Sequence, residues 1–64
     1  MQAKELLLLI AAEMNKKPSD FQKYIDELDN QMLESADDLK DVSDEQWKQM
    51  NFPLGLVNKI KKRL

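Results

Sequence analysis

Apolar residues at helical spacing predict a first helix over residues 4–15. The helix ends before Pro18, because proline disfavours helical backbone in the residue that precedes it. Leu8, Leu9 and Ala12 widen the apolar stripe until little polar surface remains. Such a helix is either the central one of a small bundle, which we favour, or it exposes leucine to a partner. The apolar positions of the stripe are 3, 6, 7, 10, 11 and 14.

A second helix is predicted over residues 20–31. Ser19 and Gln22 have the S-x-x-Q spacing of a capping box, in which each side chain accepts a hydrogen bond from the backbone N–H of the other residue. One face of this helix is apolar and is expected to enter the core. The residues of that face are Phe21, Tyr24, Ile25, Leu28 and Met32.

Two short helices follow, and each is preceded by a serine. Ser35 and Ser43 are the expected caps, because a serine side chain accepts a hydrogen bond from a free N–H at a helix start. Acids occupy both first turns, where they interact favourably with the helix dipole, and Gln46 completes a second capping box. Neither segment is long enough to be stable alone, so packing must hold both. The apolar residues available for it are Leu39, Val42, Trp47 and Met50.

Residues 50–55, MNFPLG, join the fourth helix to the fifth. Asn51 follows the last apolar residue of the fourth helix, where helices often end on one residue of positive φ, and asparagine is the best substitute for glycine there. Phe52 is then predicted to enter the core, and Pro53 to be the first residue of the last helix. Because Gly55 has no side chain, another segment is expected to be able to approach the start of that helix closely. Its apolar stripe is predicted at positions 54, 57, 60 and 64.

Composition agrees with a helical domain, since the chain has one glycine, two prolines and 42% apolar residues. We expect residues 1–64 to be one all-α domain, a compact five-helix bundle with a longer C-terminal helix, excised from a larger protein. The chain has no cysteine and no histidine. Disulfides, thiolate metal sites, the commonest general base and the commonest metal ligand are therefore missing. We expect no enzymatic activity, metal, cofactor or small-molecule substrate.

The net charge of -2 provides no general attraction to nucleic acid or to an anionic membrane. The apolar run over residues 6–12 is too short to cross a bilayer, so no membrane insertion is expected. Since nothing indicates an oxidising compartment, we expect an intracellular location in the cytoplasm, with the nucleus as the alternative.

The segment ADDLKDVSDEQWKQMNFPLGLVNKIKKRL, residues 36–64, resembles the second half of a sterile alpha motif (SAM) domain. That family has a Leu, then Leu-Thr/Ser-x-x-x-Leu-x-x-Leu-Gly-Ile, a short corner and Gly-x-Arg-x-x-Ile-x-x-x-Ile. Trp47 replaces a family Leu, Asn51 replaces the corner Gly, and Val57 stands where many members have Arg or His. The resemblance implies a five-helix fold and a non-catalytic protein interaction module. The matching residues are Leu39, Val42, Ser43, Trp47, Met50, Asn51, Phe52, Gly55, Ile60 and Leu64.

Nine acids lie between residues 26 and 45, with Lys40 as the only base among them. The four in first turns are explained by the helix dipole, so a solvated surface is one interpretation. A calcium loop is disfavoured because no glycine is present at the required spacing. The other interpretation is a protein-binding acidic mid-surface. Its candidate residues are Asp37, Asp38, Asp41, Asp44 and Glu45.

Four cations lie within residues 59–63, at the end of the last helix. They complement the helix dipole and favour solubility, or they form part of a docking surface. The candidates for this end-helix surface are Leu54, Gly55, Lys59, Lys62 and Arg63.

SAM domains often associate head to tail, so the resemblance implies a partner that is another SAM-type domain or a second copy of this chain. Separate acidic and basic surfaces on one domain suit such a contact. The alternative is an RNA hairpin or a DNA backbone bound by the basic helix, which the acidic middle of the chain disfavours because it would repel phosphate. The aromatic residues are expected to be core rather than a binding platform.

Overall fold

The computed structural model describes residues 1–64 as five α-helices and one 3-10 turn, with no β-strand. The all-α class and the number of helices are confirmed. The last helix has ten residues, which is longer than its three predecessors but one residue shorter than the first. The elements are α1 (Ala3–Glu13), the 3-10 turn (Pro18–Phe21), α2 (Gln22–Asn30), α3 (Ala36–Leu39), α4 (Asp44–Gln49) and α5 (Leu54–Arg63).

Helix α1 is the central helix of the bundle, as expected from its wide apolar stripe. It packs against the 3-10 turn, α2, α3 and α5. Leu8 is half-buried and packs against the core, whereas Leu9 is 44% exposed. The central position predicted for this helix is therefore confirmed, and Leu9 is its exposed leucine; a partner for Leu9 stays a prediction. Its buried residues are Ala3, Leu6, Leu7, Ile10 and Ala11.

The core is a single cluster of fourteen apolar side chains, and no polar side chain is buried in it. Phe21, Trp47 and Phe52 belong to the cluster, and Tyr24 packs against it half-buried. The ring centroids of Tyr24 and Phe52 are 5.1 Å apart, and those of Trp47 and Phe52 are 5.0 Å apart. The aromatic residues therefore form core, as expected.

Three helices end on a residue in the left-handed conformation: Asn15, Met32 and Asn51, with φ of 56°, 60° and 61°. In each case the next residue donates its N–H to the carbonyl five positions back, at 2.8, 2.8 and 3.3 Å. This is the Schellman arrangement, which satisfies carbonyls left free at a helix end. The prediction for Asn51 is confirmed. Helix α1 ends earlier than predicted, because Asn15 turns the chain before Pro18 is reached.

The start of the second helix differs from the predicted capping box. Pro18 begins a 3-10 turn, in which the Lys17 N–H donates to Asp20 Oδ2 at 3.2 Å, and Ser19 caps nothing. Gln22 is the first residue of α2, and its amide donates to Asp26 Oδ1 at 2.9 Å. The predicted S-x-x-Q capping box is therefore absent, and a 3-10 turn takes its place before α2.

The apolar face of α5 also differs from the prediction. Leu56, Val57 and Ile60 are buried, whereas Leu54 is 75% exposed. The cause is the helix start: Pro53 is extended and precedes the helix, and Leu54 lies two residues, or about 200°, before Leu56. Leu64 lies beyond the helix and is exposed.

A short backbone pairing joins the chain start to α3, and nothing in the sequence indicated it. The Ala3 N–H donates to the Glu34 carbonyl at 2.9 Å, and the Ala36 N–H donates to the Met1 carbonyl at 2.9 Å. The residues between them, Gln2 and Ser35, are antiparallel partners. This pairing holds the starts of α1 and α3 together.

Candidate interaction surfaces

Ser35 caps α3, as predicted, with Asp38 as its capping-box partner. The Asp38 N–H donates to Ser35 Oγ at 3.2 Å, and the Ser35 N–H donates to Asp38 Oδ2 at 3.1 Å. The Glu34 N–H donates to the same carboxylate oxygen at 3.2 Å. These hydrogen bonds, that from the Ser35 backbone first, lower the pKa of Asp38 below its ordinary value. Asp38 is therefore engaged in holding the start of α3.

Ser43 caps α4 in the predicted way. The Gln46 N–H donates to Ser43 Oγ at 3.2 Å, and the Ser43 N–H donates to Gln46 Oε1 at 2.9 Å. Asp44, in the first turn, forms an ion pair with Lys61 of α5. The hydrogen bond from Lys61, followed by its charge, lowers the pKa of Asp44.

The five acids of the mid-surface are all exposed, but they are not equivalent. Asp37 pairs with Lys40 at 3.3 Å, on the same short helical segment. Asp38 and Asp44 have the partners described above. Asp41 and Glu45 accept no hydrogen bond and form no ion pair, so they are the acids free to meet a partner.

The end-helix surface is divided in the same way. Arg63 donates to Glu13 Oε2 of α1 from Nη2 at 2.8 Å and from Nε at 3.1 Å. This hydrogen bond is the first cause of the lowered pKa of Glu13, and the charges of Arg63, Lys59 and Lys62 add to it. Lys59, half-buried, and Lys62, exposed, have no partner of their own. The free cations of this surface are therefore Lys59 and Lys62.

Gly55 and Leu54 are exposed at the start of α5. A Cβ added to Gly55 would meet no atom within 4 Å, so packing inside the domain does not require glycine there. The expectation that Gly55 permits close approach within the fold was wrong. Gly55 instead lines an open groove of about 440 Å³ beside the start of α5. The other lining residues are Met14, Lys16, Asp20, Phe21, Tyr24, Pro53 and Leu56.

A second groove, the α2–α4 groove, lies between α2, the α3–α4 link and α4, and has a volume of about 380 Å³. Of its lining residues only Asp41 was a candidate from the sequence. The rest were missed because α2 and α4 are distant in the chain. For Val42 and Met50 the sequence predicts only a packing role. The groove is lined by Glu27, Gln31, Leu33, Asp41, Val42, Gln46, Gln49 and Met50.

The structure contains neither a metal-binding cluster nor a membrane-spanning helix. No group of three or more acidic side chains is placed to hold a metal ion. None of the helices has the length and apolar character needed to traverse a bilayer. No family model, curated protein or solved structure matches the chain.

Proposed function

We propose that this chain is a non-catalytic protein–protein interaction domain that works inside the cell. Its acidic mid-surface binds the end-helix surface of another domain, which is either a second copy of the chain or another SAM-type domain. The five-helix bundle and the resemblance of residues 36–64 to SAM domains support this proposal.

The observation that carries the proposal is the exposure of Leu54. This side chain is 75% exposed at the start of α5, while the core is complete without it. Gly55 beside it is open, and Lys59 and Lys62 on the same helix lack partners. An apolar side chain accompanied by unpaired cations suits burial against an acidic surface.

The mid-surface supplies that complement through Asp41 and Glu45, the two acids without partners. A head-to-tail contact between the acidic and basic surfaces is heterologous, and it builds an open chain of copies unless its rotation closes a ring. Asp44 of the mid-surface is already neutralised by Lys61, which lies on α5 but outside the end-helix surface. Association is therefore expected to rely on the four free charges and on Leu54.

The nucleic-acid alternative would use the same helix. Only two of its four cations are unpaired, because Lys61 and Arg63 are engaged with Asp44 and Glu13. Phosphate binding depends on several free cations acting together. The arrangement therefore favours a protein partner.

Sedimentation of two complementary variants tests the proposal. Lys59→Glu/Lys62→Glu disables the end-helix surface, and Asp41→Lys/Glu45→Lys disables the mid-surface. Each variant alone is expected to be monomeric, while an equimolar mixture associates, because the two intact surfaces, and also the two reversed surfaces, carry opposite charges. Wild-type chains are expected to associate with rising concentration, and less in high salt because salt screens exposed charges.

Glu5→Lys/Asp29→Lys is the matched control for the acidic variant. It makes the same change in net charge at two exposed acids that accept no hydrogen bond, and it is expected to associate as the wild type does. A wild-type chain that stays monomeric at every concentration and salt contradicts self-association. Capture of another SAM-type domain then tests the other form of the proposal, in which the partner is not a second copy. That form fails if neither charge variant reduces the capture. If the chain binds an RNA hairpin, and Asp41→Lys/Glu45→Lys leaves that binding unchanged or strengthens it, the nucleic-acid alternative is indicated.

Gly55→Ala separates partner contact from folding. The change is expected to stabilise the domain by about 0.5–1 kcal/mol, because alanine restricts the unfolded chain and meets no atom here. It is expected to weaken association, since the added methyl group projects into the proposed contact. Urea unfolding and sedimentation measure the two effects. Unchanged association would place the contact away from Gly55.

A further inference from the structure

The α2–α4 groove has a firm apolar floor. Leu33, Val42 and Met50 form it, and each is half-buried and packs against the main core. The floor is therefore held by the fold, and the exposed parts of these three side chains lie at the base of the groove. An apolar group placed there would bury surface that the domain leaves in contact with water.

The rim of the groove is polar and acidic. Glu27 and Asp41 are its charged residues, and no lysine or arginine lines it. Glu27 accepts a hydrogen bond from Gln31 at 3.2 Å, and the Gln46 oxygen is used by the Ser43 N–H. Asp41 and Gln49 make no side-chain hydrogen bond. The rim therefore offers two negative charges and a free amide that can both donate and accept.

The size of the groove limits what it can hold. Its volume of about 380 Å³ is near the lower end of the range of small-molecule pockets, roughly 300–1,000 Å³. An amphipathic helix needs a longer groove, because it binds through several anchors spaced along it. One large side chain with its neighbouring backbone fits the space better.

We propose that the α2–α4 groove binds an extended basic peptide segment of a partner protein, with one apolar side chain between lysines or arginines. The apolar side chain lies on the floor, the cations pair with Glu27 and Asp41, and the Gln49 amide bonds the peptide backbone. The cations of this chain's own basic segment lie on α5, and two of the four are already paired. The inference goes beyond the proposed function: the groove shares only Asp41 with the mid-surface, so a bound peptide and an end-helix surface would compete for that one residue.

Amide chemical shifts, followed during peptide titration, test this inference. The probes are capped peptides of sequence Lys-Lys-Leu-Lys-Lys, Lys-Lys-Ser-Lys-Lys and Glu-Glu-Leu-Glu-Glu. The leucine-containing basic peptide is expected to shift Leu33, Val42 and Gln49, the serine peptide to bind about tenfold more weakly, and the acidic peptide not to bind. Glu27→Lys/Asp41→Lys is expected to weaken binding at least about tenfold. The control Glu5→Lys/Asp29→Lys should bind nearly as the wild type does.

Other results would overturn the inference in distinguishable ways. If the leucine and serine peptides bound equally, the apolar floor would contribute nothing and only charge attraction would remain. If Glu27→Lys/Asp41→Lys bound the peptide normally, the peptide would bind outside the groove. Absence of peptide binding by a chain that associates in sedimentation would remove the peptide inference and leave the proposed function. Shifts of the groove residues on concentrating the protein alone would identify a second copy as the occupant. The opposite pattern, peptide binding by a strictly monomeric chain, supports the inference and contradicts self-association.

Discussion

Met32, two residues after the end of α2, has φ at 60° and is 79% exposed. The left-handed conformation costs a residue with a Cβ roughly 1–2 kcal/mol, because the Cβ comes close to a carbonyl oxygen. Asn15 and Asn51 adopt the same conformation at lower cost, since asparagine can form local hydrogen bonds there. Met32 therefore carries strain that the other two residues largely avoid.

Met32→Gly is expected to stabilise the domain by about 0.5–1 kcal/mol. Removing the Cβ relieves the strain, and the greater freedom of glycine in the unfolded chain offsets part of the gain. Urea unfolding measures the difference. The matched control is Met32→Ala, which retains the Cβ and should give no gain. A destabilised Met32→Gly would show that the exposed methionine side chain contributes more than the strain costs.

Residue roles that depend on neighbouring backbone were predictable from the sequence. Asn51, Ser35 and Ser43 act as expected, because a helix end or start needs few residues to define it. Met32 and Leu54 were placed on core faces by periodicity, and both are exposed. Periodicity cannot show where a helix ends, and here that point decides which side chains reach the core.

Helices α3 and α4 have only four and six residues. Segments of this length are not stable alone, so their first turns depend on side-chain caps and on packing of Leu39 and Trp47. The two serine caps supply hydrogen bonds that the backbone cannot. The 3-10 turn before α2 is different, because its serine takes no part in capping.

Ser43→Ala is expected to lower the free energy of unfolding by about 1 kcal/mol, since the Gln46 N–H loses its acceptor. Ser19→Ala is the matched control and should change it by less than about 0.5 kcal/mol. Chemical denaturation of both variants makes the comparison. Equal losses would mean that Ser19 caps the second helix after all.

Stability of the whole molecule rests on one apolar cluster. A domain of this length is expected to have a free energy of unfolding of about 3–10 kcal/mol. No disulfide supplements it, since the chain has no cysteine. The loss of one central side chain is therefore a large fraction of the total.

Leu7→Ala and Leu9→Ala make the same change two residues apart on α1. Leu7 is 0% exposed and Leu9 is 44% exposed. Leu7→Ala is expected to lose about 2–5 kcal/mol and to leave much of the chain unfolded, while Leu9→Ala loses less than about 1 kcal/mol. Thermal unfolding followed by circular dichroism distinguishes them. Similar losses would place Leu9 in a buried environment.

Acid is expected to destabilise the fold through Glu13, Asp38 and Asp44. Each has a lower pKa in the folded chain than its ordinary value, which is 4.5 for Glu13 and 3.8 for the two aspartates. The stability that these three carboxylates contribute is therefore complete when the pH is above their ordinary pKa values. It is lost as the pH falls through the lowered pKa values of the folded chain. The melting temperature between pH 6 and pH 2 measures this, and Glu13→Gln/Asp44→Asn should give a shallower decline. An equally steep decline in that variant would assign the acid sensitivity to other groups.

At the scale of the whole molecule, the charge pattern was predictable from the sequence, whereas contacts between distant segments were not. The separation of acidic and basic segments was readable along the chain, and it led to the two candidate surfaces. The ion pairs Asp44–Lys61 and Glu13–Arg63 were not readable from the sequence, because they join residues that are 17 and 50 positions apart. The α2–α4 groove was missed for the same reason, since its lining comes from segments that meet only in the folded chain.

The row of aromatic rings makes the intrinsic fluorescence of the domain sensitive to its folding. Phe21, Tyr24, Phe52 and Trp47 follow one another with centroids 5.7, 5.1 and 5.0 Å apart. The chain has one tyrosine and one tryptophan, and a single phenylalanine ring lies between them. Light absorbed by Tyr24 in the folded chain should therefore be emitted largely by Trp47. Tyrosine emission should return when the chain unfolds, so the fluorescence spectrum of each unlabelled variant reports whether its fold is intact.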